Sequence, residues 1–532
     1  MVRWLSSKIE TIAGAAVILA GASFASKILG LIRNHVLAGA FGAGDTLDAY
    51  YAAFRIPDAI FQFLVLGALS AGFIPVFVEL MEKKEDHWKV ASTVLNALLI
   101  LLALFSFLFI IFAGKLQPLI APGFSGEKLA LTVTLARIMA LGPIFLGISA
   151  VLSGVLQSYR KFIIYAIAPL FYNLGIIIGA LWLTPIFGAS GLGLGVVVGA
   201  ALHAAVQIPA ARACGFSFRP YLDLKNKAVR KIAWLSLPRI AGLAVTQINF
   251  FAITLFASKL AAGSLSVFNL ANDIQSVPIG LFAISLATAA FPSFSQFAAR
   301  GDEDRFRRSF SSTARLILFL TVPFSILLLL LRAQIVRVLL GSGQFDWADT
   351  IATADALAFF SLSLFAQALL PLLVRAFYAL KDTFSPLLAG ACAVTVNVLL
   401  ALTFREPLGV AGLALAFSFA SIINTIILWL MLRGRLRSLD EQSIIPALFK
   451  ISVAGLAMAI VVQAAKYTLA PYLNMQTGLG IFTQGFIAGT LGLAVFLLIA
   501  LALESSEART IRNAFVKKLF RAKESRPMEI VE

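Results

Sequence analysis

Residues 96–114 read NALLILLALFSFLFIIFAG, a run without a charged side chain. A hydrocarbon core about 30 Å thick takes roughly 20 apolar residues as a helix. A barrel strand would be about ten residues long and would alternate in polarity, which this run does not. The stretch therefore reads as a membrane-spanning helix. Working outward by the same ruler predicts fourteen spans, near 12–40, 48–80, 91–113, 129–157, 162–184, 191–212, 232–258, 265–298, 310–332, 350–379, 386–403, 409–432, 447–465 and 478–504. The expected fold class is an all-α polytopic membrane protein.

Composition agrees. Of 532 residues, 60% are hydrophobic and 13% charged, and the mean hydropathy is +0.93, values foreign to soluble domains. The net charge of +17 would suggest nucleic acid in a soluble chain, but its placement gives another reason. With connections assigned alternately to the two sides, most loop Lys and Arg residues fall on the side of both termini, as in RPYLDLKNKAVRK, RGDEDRFRR and RGRLR. The other side holds Lys115, Lys128, Lys259, Arg332, Arg337, Arg405 and Lys466. The positive-inside rule then puts both termini in the cytoplasm, and the basic loops face anionic lipid; nucleic acid is excluded as a partner. The first span is read as retained rather than as a cleaved signal, since cleavage would strand cations in the remaining helix. Cys214 and Cys392 have no metal or redox spacing.

An internal repeat organises the chain. LGALSAGFIPVFVEL, residues 66–80, returns as FAISLATAAFPSFSQF, residues 282–297, with Pro75 matching Pro292 and Phe77 matching Phe294. GLGLGVVVGAAL, residues 191–202, returns more weakly as GLALAFSFASII, residues 412–423. The shift is six spans, an even number, so both copies enter the membrane in the same orientation, the parallel-repeat arrangement. The expected division is a lobe at 1–214, a basic linker at 215–231, a second lobe at 232–433, two further helices within 434–504 and a basic tail at 505–532. In that tail Ile511, Phe515 and Leu519 share a helical face among Arg512, Lys517, Lys518 and Arg521, the pattern of an interfacial amphipathic helix. External connections such as FGAGDT and AAGS are short, too short to carry a catalytic domain, which argues for transport rather than an enzyme.

Charge inside the spans is the functional signal, because a charged side chain at mid-span costs about 3 kcal/mol and usually faces a cavity or a partner. Asp48, Tyr51, Arg55, Asp58 and Gln62 are spaced 3, 4, 3 and 4 residues apart, which puts them on one helical face. That stripe either holds helices together through Asp58 and Arg55 or lines a water-filled cavity. Lys27 and Arg33, in the span before, point about 120° apart around their helix, and both can border a wide cavity. If Asp48 and Asp58 neutralise one cation each, Lys27, Arg33 and Arg55 leave a net positive surface suited to an anion. Asn269, Asn272, Asp273 and Ser276 form a second polar cluster, and Arg239 and Arg375 are further cations within spans. Prolines inside spans, Pro57 and Pro278 among them, permit kinks.

SKILGLIRNHVLAGAFGAGDTLDAYYAAFRIPD, residues 26–58, resembles the opening of the MurJ (MviN) family, the lipid II flippases of the MOP superfamily, which runs approximately S-R-x-L-G-x-x-R-D, F-G-A-G, D-A-F and F-K/R-x-P-N. Further similar segments are AGFIPVF at 71–77, IAPGF at 120–124, AVTQI at 244–248, FPSFS at 291–295 and RAFYALKDTFSP at 375–386. The resemblance implies fourteen helices in two six-helix lobes around a cationic cavity. It implies a flippase that moves an undecaprenyl-pyrophosphate-linked glycopeptide from the inner to the outer leaflet of the bacterial inner membrane, with membrane lipids and candidate cell-wall synthesis enzymes as partners. Lys27, Arg33 and Arg55 are then expected near the pyrophosphate, and Asp48 stands for the family's second-span acid; with Asp273 where the family has an arginine, Arg239 and Arg375 are expected to supply charge to the second lobe instead. No cofactor or metal is implied, and a coupling ion is left unspecified. The chain departs from the family pattern at Asn34, where an acid is usual, at Gln62 and Leu66, where Arg and Glu are common, and at Asp273 and Ser276, where an arginine and an acid are expected. Those departures keep open a flippase of another polyprenyl-pyrophosphate glycan, of O-antigen or capsule type, and a non-transporting membrane scaffold remains the reading from a different class.

Overall fold

The computed structural model describes residues 12–66, 72–510 and 512–513. The tail face of Ile511, Phe515 and Leu519 lies outside the described residues. Among those described there is no strand. The helices are α1 Ile12–Phe41, α2 Asp45–Phe61, α3 Ile74–Glu82, α4 His87–Ile120, α5 Gly126–Met139, α6 Gly142–Ser158, α7 Phe162–Ile178, α8 Ser190–Ala205 and α9 Lys227–Ala257. They continue as α10 Ser264–Pro278, α11 Ser285–Arg300, α12 Glu303–Leu330, α13 Arg332–Leu340, α14 Trp347–Ser361, α15 Leu364–Ala379, α16 Phe384–Leu436, α17 Glu441–Leu469 and α18 Gly478–Ala502.

Local signals explain where several begin and bend. Asp86, Asn226, Asp302 and Thr477 cap α4, α9, α12 and α18, each accepting from a backbone N–H of the first turn. Pro57 lies in α2, which runs into a π turn at Gln62–Leu66, and Pro278 ends α10, which runs into another at Ile279–Ile284. The two π turns are separated by the offset that relates Pro75 to Pro292, so the internal repeat extends to a backbone irregularity that composition cannot show.

Nine helices among the described residues are long and apolar enough to cross a membrane, and the bent pair α14 and α15, at 51°, makes ten. Fourteen spans are not reached by that measure. The charge-bearing α1 and α2 are not among the nine, and α9 contributes only a shorter apolar stretch, Gly242–Ala257. Helix α16 runs for 53 residues because two helices are joined across a break at Gly409, where φ is 57°.

The chain divides into two compact units. The first comprises Met1–Val277, Leu339–Leu357 and Thr383–Ala420. In it α7, with the π turn Gly179–Leu183 that continues it, approaches α8 through glycines: a Cβ on Gly175 would strike Gly199, and one on Gly179 would strike Gly195. Such small-residue faces let helix backbones come close where lipid offers no hydrophobic drive. Phe73, Phe77, Leu98, Leu102 and Val151 pack one core, and Leu37, Leu47, Tyr50, Met139 and Ile176 another. On α4 the opposite face exposes Leu104, Phe107, Leu108 and Ile111, as a lipid-facing surface requires. The basic linker is fixed to that helix, since Asn96 Nδ2 donates to the carbonyls of Arg219 and Tyr221 at 2.7 and 2.9 Å.

At the far end of α1 the chain folds back tightly. Gly42, with φ at 62°, lies where a Cβ would fall 2.9 Å from the Gln344 carbonyl. Beside it the Gln344 N–H donates to the Gly39 carbonyl at 2.8 Å and the Ala43 N–H to Asp349 Oδ2 at 2.9 Å. The FGAG run thus serves backbone contact that a side chain would block.

The second unit comprises Pro278–Val338, Ala358–Asp382 and Ser421–Glu532. Its core is aromatic, with ring centroids 5.1 Å apart for Phe294 and Phe306, 5.7 Å for Phe310 and Trp429, and 5.1 Å for Phe319 and Phe496. Arg315 Nη1 donates to Glu507 Oε1 at 3.0 Å, tying the short helical segment after α18 to α12.

Candidate functional site

Within the first unit, α10 presents a row of acceptors. Asn269, Asp273 and Ser276 stand at i, i+4 and i+7 and share one face. Three cations from α1 and α2 meet that face. Arg55 Nη2 donates to Asn269 Oδ1 at 2.9 Å, Arg33 Nη2 to Asp273 Oδ2 at 3.3 Å, and Lys27 Nζ lies 3.5 Å from Ser276 Oγ. Lys27 and Arg33 diverge around α1 as their spacing requires, yet both reach α10 because their side chains are long.

Each arginine is held in place by neutral groups. Arg33 Nε and Nη2 donate to Asn34 Oδ1 at 3.1 and 2.8 Å, and Nη1 donates to Asn173 Oδ1 at 3.1 Å. Of the five guanidinium N–H groups, one on Nη1 has no described protein partner. Arg55 Nε donates to Thr254 Oγ1 at 2.8 Å, and its carbon lies 5.1 Å from the Phe250 ring centroid; Arg55 Nη1 has no described partner either. These are oriented, partly satisfied guanidinium groups, the form suited to gripping phosphate oxygens.

Asn34 is buried, and its Nδ2 donates to Asp273 Oδ2 at 2.9 Å while its Oδ1 accepts from Arg33. The departures from the family pattern at 34 and 273 are therefore one event in space. The acid expected beside Arg33 on α1 is found across from it on α10, with the amide bridging the two.

The second-span stripe divides. Asp58 Oδ2 accepts from Gln247 Nε2 at 3.0 Å, and no Arg55–Asp58 ion pair forms among the described residues. Arg33 and Asp58 both border a cavity of about 560 Å³. Asp48 has a different occupation. It is buried, and it accepts from Lys128 Nζ at 2.7 Å and from the Gly263 N–H, Ser266 N–H and Ser266 Oγ at 2.8 Å each. Asp45 Oδ1 holds the same ammonium at 2.7 Å. With both oxygens of Asp48 taken, its geometry is that of a tie between α2, α5 and the start of α10. In the charge count around Lys27, Arg33 and Arg55, Asp273 takes the place expected for Asp48, and with Asp58 the sum stays positive by one.

Within the first unit, Gln62, Asn272 and Arg239 are not gathered there. Gln62 lies in the first π turn, and Asn272 Oδ1 accepts from Gln275 on its own helix at 3.1 Å. Arg239 is exposed on α9, and its backbone stands about 22 Å along that helix from Thr254, at 1.5 Å per residue, beyond the reach of its side chain. Arg375 belongs to the second unit, where it donates to Thr288 Oγ1 at 2.9 Å and to the Pro371 carbonyl at 3.2 Å. Sequence reasoning missed Asn173 and Thr254 as supports of the two arginines. Asn173 was findable as a lone amide in the apolar run FIIYAIAPLFYNLGIII.

The family model described as "Lipid II flippase MurJ" matches residues 37–483. Two proteins named "Probable lipid II flippase MurJ" are similar over most of their length. One, from Thermotoga maritima, is 30% identical over 440 residues, which cover 83% of this chain and 88% of that protein. The other, from Rhizobium tropici, is 29% identical over 522 residues, covering 94% and 96%. A solved structure titled as lipid II flippase MurJ in an inward closed conformation superposes with a TM-score of 0.74 at 24% identity, covering 93% of this chain and 99% of that one. A chain matched by this model from α1 into α18 belongs to the lipid II flippase MurJ family.

Proposed function

We propose that this multi-pass protein of the bacterial inner membrane flips lipid II, the undecaprenyl-pyrophosphate-linked disaccharide-pentapeptide, from the inner to the outer leaflet for cell-wall synthesis. Lys27, Arg33 and Arg55 hold the pyrophosphate against the polar face of α10, and the polyprenyl chain stays in lipid. The observation that carries this reading is the convergence of three membrane-embedded cations on one helix face, with two guanidinium groups oriented by neutral partners and carrying unclaimed N–H groups.

Asp273 tempers Arg33 rather than cancelling the site. An incoming pyrophosphate competes for a guanidinium already oriented by Asn34 and Asn173, so little reorganisation is needed on binding. Bidentate phosphate contacts come from the arginines and a point charge from Lys27. Transport then follows from alternating exposure of the two six-helix lobes, at 1–214 and 232–433, with no covalent step, cofactor or metal. The two repeat-related π turns support movable helix segments, since such turns are common at functional positions. Both termini are cytoplasmic, a reading supported by the Lys and Arg asymmetry of the loops. Cell-wall synthesis enzymes are proposed partners on the product side, where the flipped precursor is consumed.

Rescue of a strain depleted of its own lipid II flippase tests the function. The wild-type chain restores lipid II export, and Arg33→Ala does not. Loss of export with wild-type protein present in the membrane overturns the assignment.

A further inference from the structure

The cavity of about 560 Å³ beside Arg33 has a second polar end that the pyrophosphate reading leaves unused. Its walls come from α1, α2, α3, α5, α6, α7 and α8 of the first unit, and its polar members include Arg33, Asp58, Ser153, Gln157, Tyr172 and His203. The volume falls within the range of about 300–1,000 Å³ usual for ligand pockets.

His203 is set in that wall by a hydrogen-bond chain that holds its ring. The His203 carbonyl can only accept, which settles Gln207 Nε2 as the end facing it at 3.0 Å and leaves Oε1 to accept from Ser153 Oγ at 2.8 Å. Gln207 Nε2 then spends its two protons on Ser149 Oγ and on the His203 carbonyl. The imidazole Nδ1 is taken by Ser149 Oγ at 2.5 Å. Nε2 has no protein partner among the described residues, and the ring borders the cavity, so Nε2 is the ring atom that faces a ligand. Tyr172 braces the ring edge-on, with centroids 6.5 Å apart.

We propose that this cavity receives the sugar ring attached to the pyrophosphate. The His203 Nε2–H donates to a hydroxyl or acetamido oxygen of that ring, and the Asp58 carboxylate accepts from one of its hydroxyls. The proposal rests on the placement of the pyrophosphate at Lys27, Arg33 and Arg55, since Arg33 is shared between that cluster and the cavity. An N-acetylated hexose has the matching chemistry: hydroxyls for a carboxylate and an imidazole nitrogen, and C–H faces for the rings of Phe54, Phe61, Tyr165 and Tyr172. An acyl chain would leave Asp58 and His203 without use, and a cationic ligand would meet Arg33.

Binding to the purified full-length protein in lipid nanodiscs tests this with three lipids: polyprenyl pyrophosphate, its N-acetylhexosamine conjugate, and the conjugate carrying the complete disaccharide-pentapeptide. His203→Phe, which keeps ring shape without a donor, is expected to weaken both glycosylated lipids about 3- to 10-fold, the size of one lost neutral hydrogen bond. Affinity for the bare pyrophosphate should be unchanged. His203→Gln, which can return an N–H near the same point, should recover most of the loss, and Arg33→Ala should weaken all three lipids. An equal loss on all three lipids with His203→Phe, no loss on any, or a loss confined to the peptide-bearing lipid overturns the sugar subsite while leaving the pyrophosphate site standing. A wild-type protein that binds none of the three overturns the flippase reading and the subsite with it.

Discussion

Replacing Asp48 by alanine should destabilise the folded protein by roughly 3–5 kcal/mol, the usual effect of breaking a buried ion pair from one side. The structure allows the terms to be separated. Lys128 has a side chain only 16% exposed and loses the partner that is itself 1% exposed, keeping Asp45, which is 63% exposed. The N–H groups of Gly263 and Ser266 lose their acceptor as well, at about 1–3 kcal/mol for each one left unsatisfied. Partial rescue of Lys128 by Asp45 keeps the total in the lower part of the summed range. Asp48→Asn keeps the shape and one oxygen but turns a donor toward donors, and should fall between alanine and wild type. Asp45→Ala, at the exposed member, should cost below about 1 kcal/mol. Chemical unfolding in detergent micelles, followed by tryptophan fluorescence, measures all three. The reasoning is refuted if Asp48→Ala unfolds within about 1 kcal/mol of wild type, or if Asp45→Ala costs as much as Asp48→Ala.

Three other perturbations read different parts of the structure. Asp273→Asn removes the acid facing Arg33 and should tighten binding of a pyrophosphate lipid several-fold, whereas Asn34→Asp added to the wild type should weaken it; titration calorimetry in nanodiscs checks both signs. Gly199→Ala drives a Cβ to 2.5 Å from the Tyr172 carbonyl on the facing helix and should cost about 1–3 kcal/mol in unfolding. Gly242→Ala, with open space around it, should be neutral or stabilising by up to about 1 kcal/mol. Burial would raise the Glu507 carboxyl, but hydrogen bonds from Ser505 and Ser506 and the charge of Arg315 outweigh it and hold the group below its ordinary 4.5. A carboxyl lowered on folding stabilises the protein above its unfolded value and loses that effect as pH falls through the folded one. The stability gap between wild type and Glu507→Gln should therefore be full at neutral pH and shrink on acidification below about 4.5, and a gap that widens there would contradict it.

The legible part of the site was the part with a high insertion cost. Lys27, Arg33 and Arg55 stand out because charge in an apolar helix needs a reason, and α10 supplies their partners at the spacing expected of one helix face. Periodicity could not separate Asp48 from Asp58. Both lie on the same face of α2, but Asp48 sits ten residues earlier, where Lys128 and the start of α10 surround it, and none of those partners is near in sequence. Arg239 was expected at the same site, and charge within a span signals a partner without saying at what depth. The exchange at Asn34 and Asp273 looked like two unrelated departures because its logic lies in a contact between helices far apart in the chain. His203 gave no periodic signal, since its proposed contact depends on how Ser149, Ser153 and Gln207 hold the ring. The fourteen expected spans meet nine to ten membrane-length helices among the described residues, because α2 is only 17 residues long and α16 carries two helices across the break at Gly409.

Translocation by purified protein is the most direct test of the cationic site. Liposomes reconstituted with the wild-type chain and loaded with labelled lipid II should show the label crossing between leaflets, as read by its accessibility to a membrane-impermeant quencher. Vesicles carrying Arg33→Ala combined with Arg55→Ala, folded and inserted at equal amounts, should show the rate of protein-free vesicles. Transport by the double variant at the wild-type rate would contradict the assignment of pyrophosphate recognition to these arginines.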